Sequence, residues 1–221
     1  MSLSSSAVKT PAKGGSQPHA ALPDVALQDA HLREIRHSTQ ELFKGTFLHA
    51  FRDQVVLPDG QMASRDYVVH PGAVMVIPMD IGADGQVRLV LERQFRYPVG
   101  QVMVEFPAGK LDAGETVLAC AQRELHEETG YRATEWARAG VMHPVISYST
   151  EFIEVWFARG LIAGERALDA GEFLDVFSAT PQELLQWCCD GTVTDAKTLA
   201  GALWLQNVLS GAWTLDWQTP A

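Results

Sequence analysis

The sequence predicts an α+β fold, and three observations carry that prediction. Short apolar runs bounded by Gly and Pro recur along the chain. Three stretches carry helical spacing or helix-start signals. The two kinds of segment do not alternate as regular βαβ units. Hydrophobic residues make up 47% of the 221, enough for one sizeable domain with a core and a small appended region. No internal repeat is visible.

Residues 1–24 are rich in Ser, Ala, Pro and Gly and are expected to form a disordered tail. Residues 25–70 are expected to form a small antiparallel β-subdomain. Phe47, Val55, Val56 and Leu57 precede the turn signal Pro58-Asp59-Gly60, and Tyr67-Val68-Val69 follow it, which is the pattern of a hairpin. The main domain is expected over 71–210. Ala73–Ile77, bounded by Pro78, reads as a buried strand. Val87–Gln94 reads as the next, with Leu89 and Leu91 alternating against Arg88, Val90 and Glu92. Further strands are expected at 102–106, 136–142, 152–158 and 172–177, with a loop from His143 to Glu151.

Thr180-Pro181-Gln182-Glu183 is a helix start with a Thr cap, Pro at the first helical position and Glu closing a capping box. Asp195 is expected to cap a last helix bearing Leu199, Leu203 and Leu205. Residues 211–221 are expected to be a C-terminal tail.

Composition excludes several classes. Seventeen basic against 27 acidic residues give a net charge of −10, so general electrostatic binding of nucleic acid is not expected. Three cysteines, two of them adjacent, do not form a disulfide framework and fit a reducing, cytoplasmic setting. There is no membrane-length run of ~18 apolar residues. The first residues lack the apolar segment of a signal peptide.

The chemistry concentrates in Gly109–Tyr131, GKLDAGETVLACAQRELHEETGY. The turn Pro107-Ala108-Gly109 leads to a loop closed by Glu115, then to a helix ending at Gly130. With Val117 at zero and ~100° per residue, Leu118, Ala121 and Leu125 fall between roughly 40° and 100°. Glu124 and Glu128 fall at about −20° and +20°. These two carboxylates therefore border the apolar stripe, whereas a solvated charge run would use the opposite face of Ala119, Gln122 and His126. Two partly buried carboxylates four residues apart repel, and one takes a proton unless a cation lies between them. Hard oxygen ligands suit Mg²⁺ or Mn²⁺. Glu127 adds a third carboxylate at the edge, and Arg123, four residues before it, can hold it.

The spacing of Gly109, Glu115, Arg123-Glu124-Leu125-His126-Glu127-Glu128 and Gly130 resembles the Nudix box at every charged and glycine position. The departure is Tyr131, at a packing position where the family usually has an aliphatic residue. The resemblance implies the Nudix fold, a mixed β-sheet sandwiched between helices. It also implies hydrolysis of a nucleoside diphosphate linked to another group. By the same resemblance Glu124, Glu128 and the Ala108 carbonyl bind Mg²⁺, Glu127 assists, Gly109 lets the backbone approach, and Glu115 anchors the loop.

Beyond the box, Glu92-Arg93-Gln94-Phe95-Arg96-Tyr97-Pro98, Glu105-Phe106-Pro107-Ala108-Gly109, the hairpin ending Tyr67-Val68-Val69-His70-Pro71-Gly72, and Asp195-Ala196-Lys197-Thr198 resemble the ADP-ribose pyrophosphatase branch. That branch implies a homodimer that exchanges the N-terminal β-subdomain, so that both subunits build the pocket. It places Arg96 and Glu105 at substrate, with Arg65 a further candidate from the hairpin. It also places the catalytic base in the loop, where Glu151 matches. Glu154 is the alternative base. The chain departs from ADP-ribose hydrolases at Ile146, where a proline is usual, and a nucleotide sugar such as GDP-mannose would use the same machinery. Two further readings stand beside this one. Sanitation of oxidised nucleoside triphosphates is disfavoured by the large N-terminal β-region. A non-catalytic ADP-ribose sensor is disfavoured because every box carboxylate is present.

Overall fold

The computed structural model describes residues 29–220, so the expected N-terminal tail lies outside the described residues. Among these, 29–39 with 53–64 cluster as one unit, and 40–52 with 65–220 as the other. Three strands run through both units: β1 (Ile35–Lys44), β2 (His49–Val56) and β3 (Met62–Val69). They form an antiparallel sheet in the order β1-β2-β3.

In the smaller unit the expected hairpin turn closes at Pro58-Asp59-Gly60. Gly60 adopts φ +83°, where only glycine is unstrained, and the Gly60 N–H donates to the Leu57 carbonyl at 2.9 Å. The Asp59 side chain accepts from the Gln61 N–H at 2.9 Å, which fixes the turn locally.

The larger unit holds an eight-stranded mixed sheet. Its strands are β4 (Ala73–Ile81), β5 (Val87–Arg96), β6 (Gln101–Glu105), β7 (Ala108–Lys110), β8 (Arg132–Met142), β9 (Ile153–Ile162), β10 (Leu174–Ala179) and β11 (Trp217–Gln218). The order is β10-β5-β4-β9-β8-β11, with β6 also on β5 and β7 also on β4. Only the β4–β9 pair is parallel among the registers described.

Helices cover both faces. α1 (Val117–Thr129) lies on one. α2 (Pro181–Asp190) and α3 (Ala196–Leu209) lie on the other. Met75, Ile77, Leu89, Leu91 and Phe157 pack with Leu184 and Leu205 of α2 and α3. Val74, Val76 and Trp156 pack with Cys120, Ala121 and Leu125 of α1. That two-sided cover explains why β4 reads as a continuous apolar run rather than an alternation.

The cap signals hold. Thr180 and Glu183 form the capping box on α2, and the Asp195 side chain accepts from the Thr198 N–H at 2.9 Å on α3. Thr180→Ala is expected to lower stability by about 1 kcal/mol, read as a lower urea midpoint with an unchanged slope.

Two segments differ from the sequence reading. Pro107-Ala108-Gly109 reads as a turn in the sequence, but Ala108–Lys110 pair with Ala73–Met75 as β7. Residues 211–220, read as a tail, return to the sheet edge, where Trp217 and Gln218 pair with Ala137 and Trp136. There the Arg159 guanidinium lies 3.9 Å from the Trp217 ring centroid, a cation–π contact that anchors the return. Strands of two or three residues are too short to show a period.

Candidate active site

The box helix presents its carboxylates as its spacing predicts. The Thr116 side chain caps α1 by accepting from the Ala119 N–H, and Gly130 ends it at φ +78°. Between these ends, burial of Cys120, Ala121 and Leu125 fixes the rotation of the helix. That rotation turns Glu124 and Glu128 inward, where they are 9% and 3% exposed.

Arg123 organises the outer edge. Its guanidinium donates twice to Glu115 at 2.9 Å, to Glu124 at 2.7 Å, to Glu127 at 3.0 Å and to the Lys110 carbonyl at 3.0 Å. Glu115 also accepts from the Asp112 N–H at 3.1 Å, so it joins the loop to Arg123 on the helix.

β7 supplies the facing wall. Its pairing with β4 holds the backbone of Ala108 and Gly109 against α1. The Ala108 N–H donates to Glu128 Oε2 at 2.9 Å. A Cβ on Gly109 would lie 1.9 Å from Glu124 Oε1, so glycine here makes room for a carboxylate rather than for a turn. The result is two buried carboxylates and adjacent backbone oxygens. This donor set fits a hard divalent cation. Among the described residues no three acidic, His or Cys side chains already converge as a finished metal cage.

A cleft of about 500 Å³ opens beside this backbone. Ala108, Gly109, Arg96, Glu105, Glu151 and Lys197 are among its lining residues. Arg96 is held by a two-pronged ion pair to Glu105, at 2.7 and 2.9 Å. Lys197, at the start of α3, bonds both Glu105 and Asp195. Glu151 follows the 143–150 loop, and its carboxylate lies 3.8 Å from the His70 ring. The alternative base, Glu154, is elsewhere. It is buried in β9 and paired with Arg138 through two hydrogen bonds, and it does not line the cleft. Arg65 is exposed on β3 and does not line this cleft either.

Sequence reasoning assigned no role to Lys197, His70 or Glu92. Lys197 sat within a quoted motif. Glu92 shares a strand face with Val90, and that spacing was the available signal for its burial.

Burial dominates the electrostatics. It raises the Glu124 carboxyl from its ordinary 4.5 to about 7, and Arg123 opposes only part of the shift. Glu128 is raised well above the ordinary value by burial, then by the charges of Glu92 and Glu124. Glu115 goes the other way, to about 2, because Arg123 hydrogen-bonds its charged form.

The signs separate two pH windows for the chelated chain. Between about 4.5 and 7 the folded chain holds the Glu124 proton that the unfolded chain has released, so stability falls as pH rises. Glu115 stabilises above its ordinary 4.5, and that contribution is lost as pH falls toward about 2. Melting temperature in chelator is therefore expected to decline from pH 5 to 7, and Glu124→Gln is expected to flatten the decline.

The NUDIX domain family model matches residues 69–200, more than half of the chain. The chain belongs to the NUDIX family. Two relatives of this NUDIX chain span most of it. A methanol dehydrogenase activator of Bacillus methanolicus is 37% identical over 172 residues, which is 76% of this chain and 90% of that protein. An ADP-ribose pyrophosphatase of Bacillus subtilis (strain 168) is 34% identical over 178 residues, 79% of this chain and 94% of that protein. A solved structure described as an ADP compounds hydrolase matches with a TM-score of 0.72 and 20% identity. It covers 81% of this chain and 96% of its own, and supports the NUDIX fold. No helix among the described residues is long and apolar enough to cross a membrane.

Proposed function

We propose that this NUDIX enzyme hydrolyses the pyrophosphate of ADP-ribose or a related nucleotide sugar, giving a nucleoside monophosphate and a sugar phosphate. The carrying observation is the cleft itself. It brings the Ala108–Gly109 backbone, the Arg96–Glu105 pair, Lys197 and Glu151 around one space. The pyrophosphatase relative from Bacillus subtilis, similar over most of both chains, supports the substrate class.

Glu124, Glu128 and the Ala108 carbonyl would hold Mg²⁺, with Mn²⁺ a substitute, and Arg123 keeps Glu127 in place to assist. When bound, the cation neutralises pyrophosphate charge and orients a water. Glu151, on the loop side, would accept a proton from the attacking water as general base. Arg96 is held by Glu105 in a fixed plane suited to phosphate or ribose oxygens. Lys197 adds a second positive charge on the same wall.

Gly109→Ala tests the donor set without removing a charge. The atoms in the way are the end of a flexible side chain, so the backbone stays and the Glu124 carboxylate moves. The expected result is a folded protein with Mn²⁺ affinity reduced about 10–100-fold in a calorimetric titration.

A homodimer with an exchanged N-terminal β-subdomain is part of this reading. All ten residues of β1 are exposed, Ile35, Leu42 and Phe43 among them, and an uncovered edge strand that carries exposed apolar side chains calls for a partner surface. Arg65, outside the cleft of its own chain, would then serve the cleft of a second copy. Light scattering should give twice 24.2 kDa. The free thiols Cys120, Cys188 and Cys189 accord with a reducing cytoplasm.

The deciding experiment is a panel of nucleotide sugars, dinucleotides and oxidised triphosphates assayed for product with Mg²⁺ and Mn²⁺. ADP-ribose or another nucleotide sugar should give the highest kcat/KM. A preference for triphosphates would overturn the substrate class.

A further inference from the structure

β5 places two acceptor side chains on the face that carries the site. Glu92 is 0% exposed, and both of its carboxylate oxygens lack a hydrogen-bond partner. Two residues on, the Gln94 carbonyl oxygen is buried and also lacks one, while its amide nitrogen donates to Glu172 at 3.3 Å. Residues two apart on a strand share a face, so three orphaned acceptor oxygens lie along one line.

Glu92 cannot turn away. Its backbone is fixed in mid-sheet, opposite Glu105 of β6 on one side and Val176 of β10 on the other. The cations nearby are engaged, since Arg96 and Lys197 both bond Glu105. Glu128 lies near Glu92, close enough for the Glu92 charge to push the Glu128 carboxyl up. A buried, unpartnered acid facing another acid is among the least favourable arrangements a core can hold. The unpartnered atoms of Glu92 and Gln94 are all oxygens, and hard divalent cations bind such donors.

We propose that Glu92 and Gln94 extend the oxygen-donor set beside Glu128 into a further divalent-cation position, in addition to the cation held by Glu124 and Glu128. This rests on the reading that Glu124 and Glu128 bind metal, and the experiment separates the two. The full chain is titrated with Mn²⁺, free Mn²⁺ is counted by electron paramagnetic resonance, and melting temperature is recorded with and without metal.

Glu92→Gln is expected to bind one Mn²⁺ fewer per chain than the unaltered protein, or to bind its weakest Mn²⁺ at least tenfold more weakly. It should also gain less melting temperature on Mn²⁺ addition. Glu92→Val, which suits the interior of a sheet, should behave likewise and guards against a folding artefact of the first variant. If both variants match the unaltered protein in stoichiometry, affinity and metal-induced shift, the inference is overturned, and Glu92 is a neutral acid lodged beside Glu128. If Glu128→Gln also leaves Mn²⁺ binding unchanged, the underlying metal reading fails as well.

Discussion

Glu128→Gln should lower metal-dependent turnover on the order of 10³-fold or more and leave the chain folded. The two side chains have nearly the same volume. The glutamine oxygen still accepts the Ala108 N–H that Glu128 accepts at 2.9 Å. What is lost is one negative charge at a position only 3% exposed, beside Glu92 and Glu124. Without metal that charge is a liability, so the chelated variant should melt at the same temperature as the unaltered chain or higher. With metal it is the ligand, so the Mg²⁺-induced rise in melting temperature should shrink. Loss of activity with retained or improved stability distinguishes a ligand from a structural residue. A variant that hydrolyses ADP-ribose at the unaltered rate would remove Glu128 from the mechanism.

Glu151→Gln and Glu154→Gln should part company. The sequence offered both as the base, three residues apart. The structure gives them different surroundings. Glu151 lines the cleft. Glu154 is bound by Arg138 through two hydrogen bonds. Glu151→Gln is expected to lower kcat about 10²–10⁴-fold with little change in KM, since a general base acts in the transition state. Glu154→Gln is expected to leave kcat within a few-fold and to cost about 1–3 kcal/mol of stability, because it weakens a partly buried charged pair. Steady-state kinetics with a urea melt for each variant reads both effects. The opposite pattern would move the base into β9.

The box was legible because several constraints overlap there. Helical period, charge and glycine spacing all select the same rotation of α1, and burial of Glu124 and Glu128 followed from it. Glu92 was harder. Period two placed it with Val90, opposite Leu89 and Leu91, but a strand pattern does not say that a second helix layer covers the other face. Glu128 of α1 stands near Glu92, and Val90 and Glu92 are both buried.

β7 was hidden because three residues carry no period and its partner, β4, is distant in sequence. β11 escaped for the same reason, and its anchor is a side-chain contact from Arg159 that no local signal announces. Lys197 stood in a recognised motif, but its role depends on Glu105, which lies 92 positions before it.

The account rests on turnover at this cleft, so the most direct measurement is product formation. The full chain is incubated with ADP-ribose, with Mg²⁺ or with chelator, and the mixture is followed by phosphorus NMR. The account predicts AMP and ribose 5-phosphate in equal amounts with Mg²⁺ and intact ADP-ribose with chelator. ADP-ribose that remains whole in the presence of Mg²⁺, or that is cleaved equally well in chelator, would contradict it.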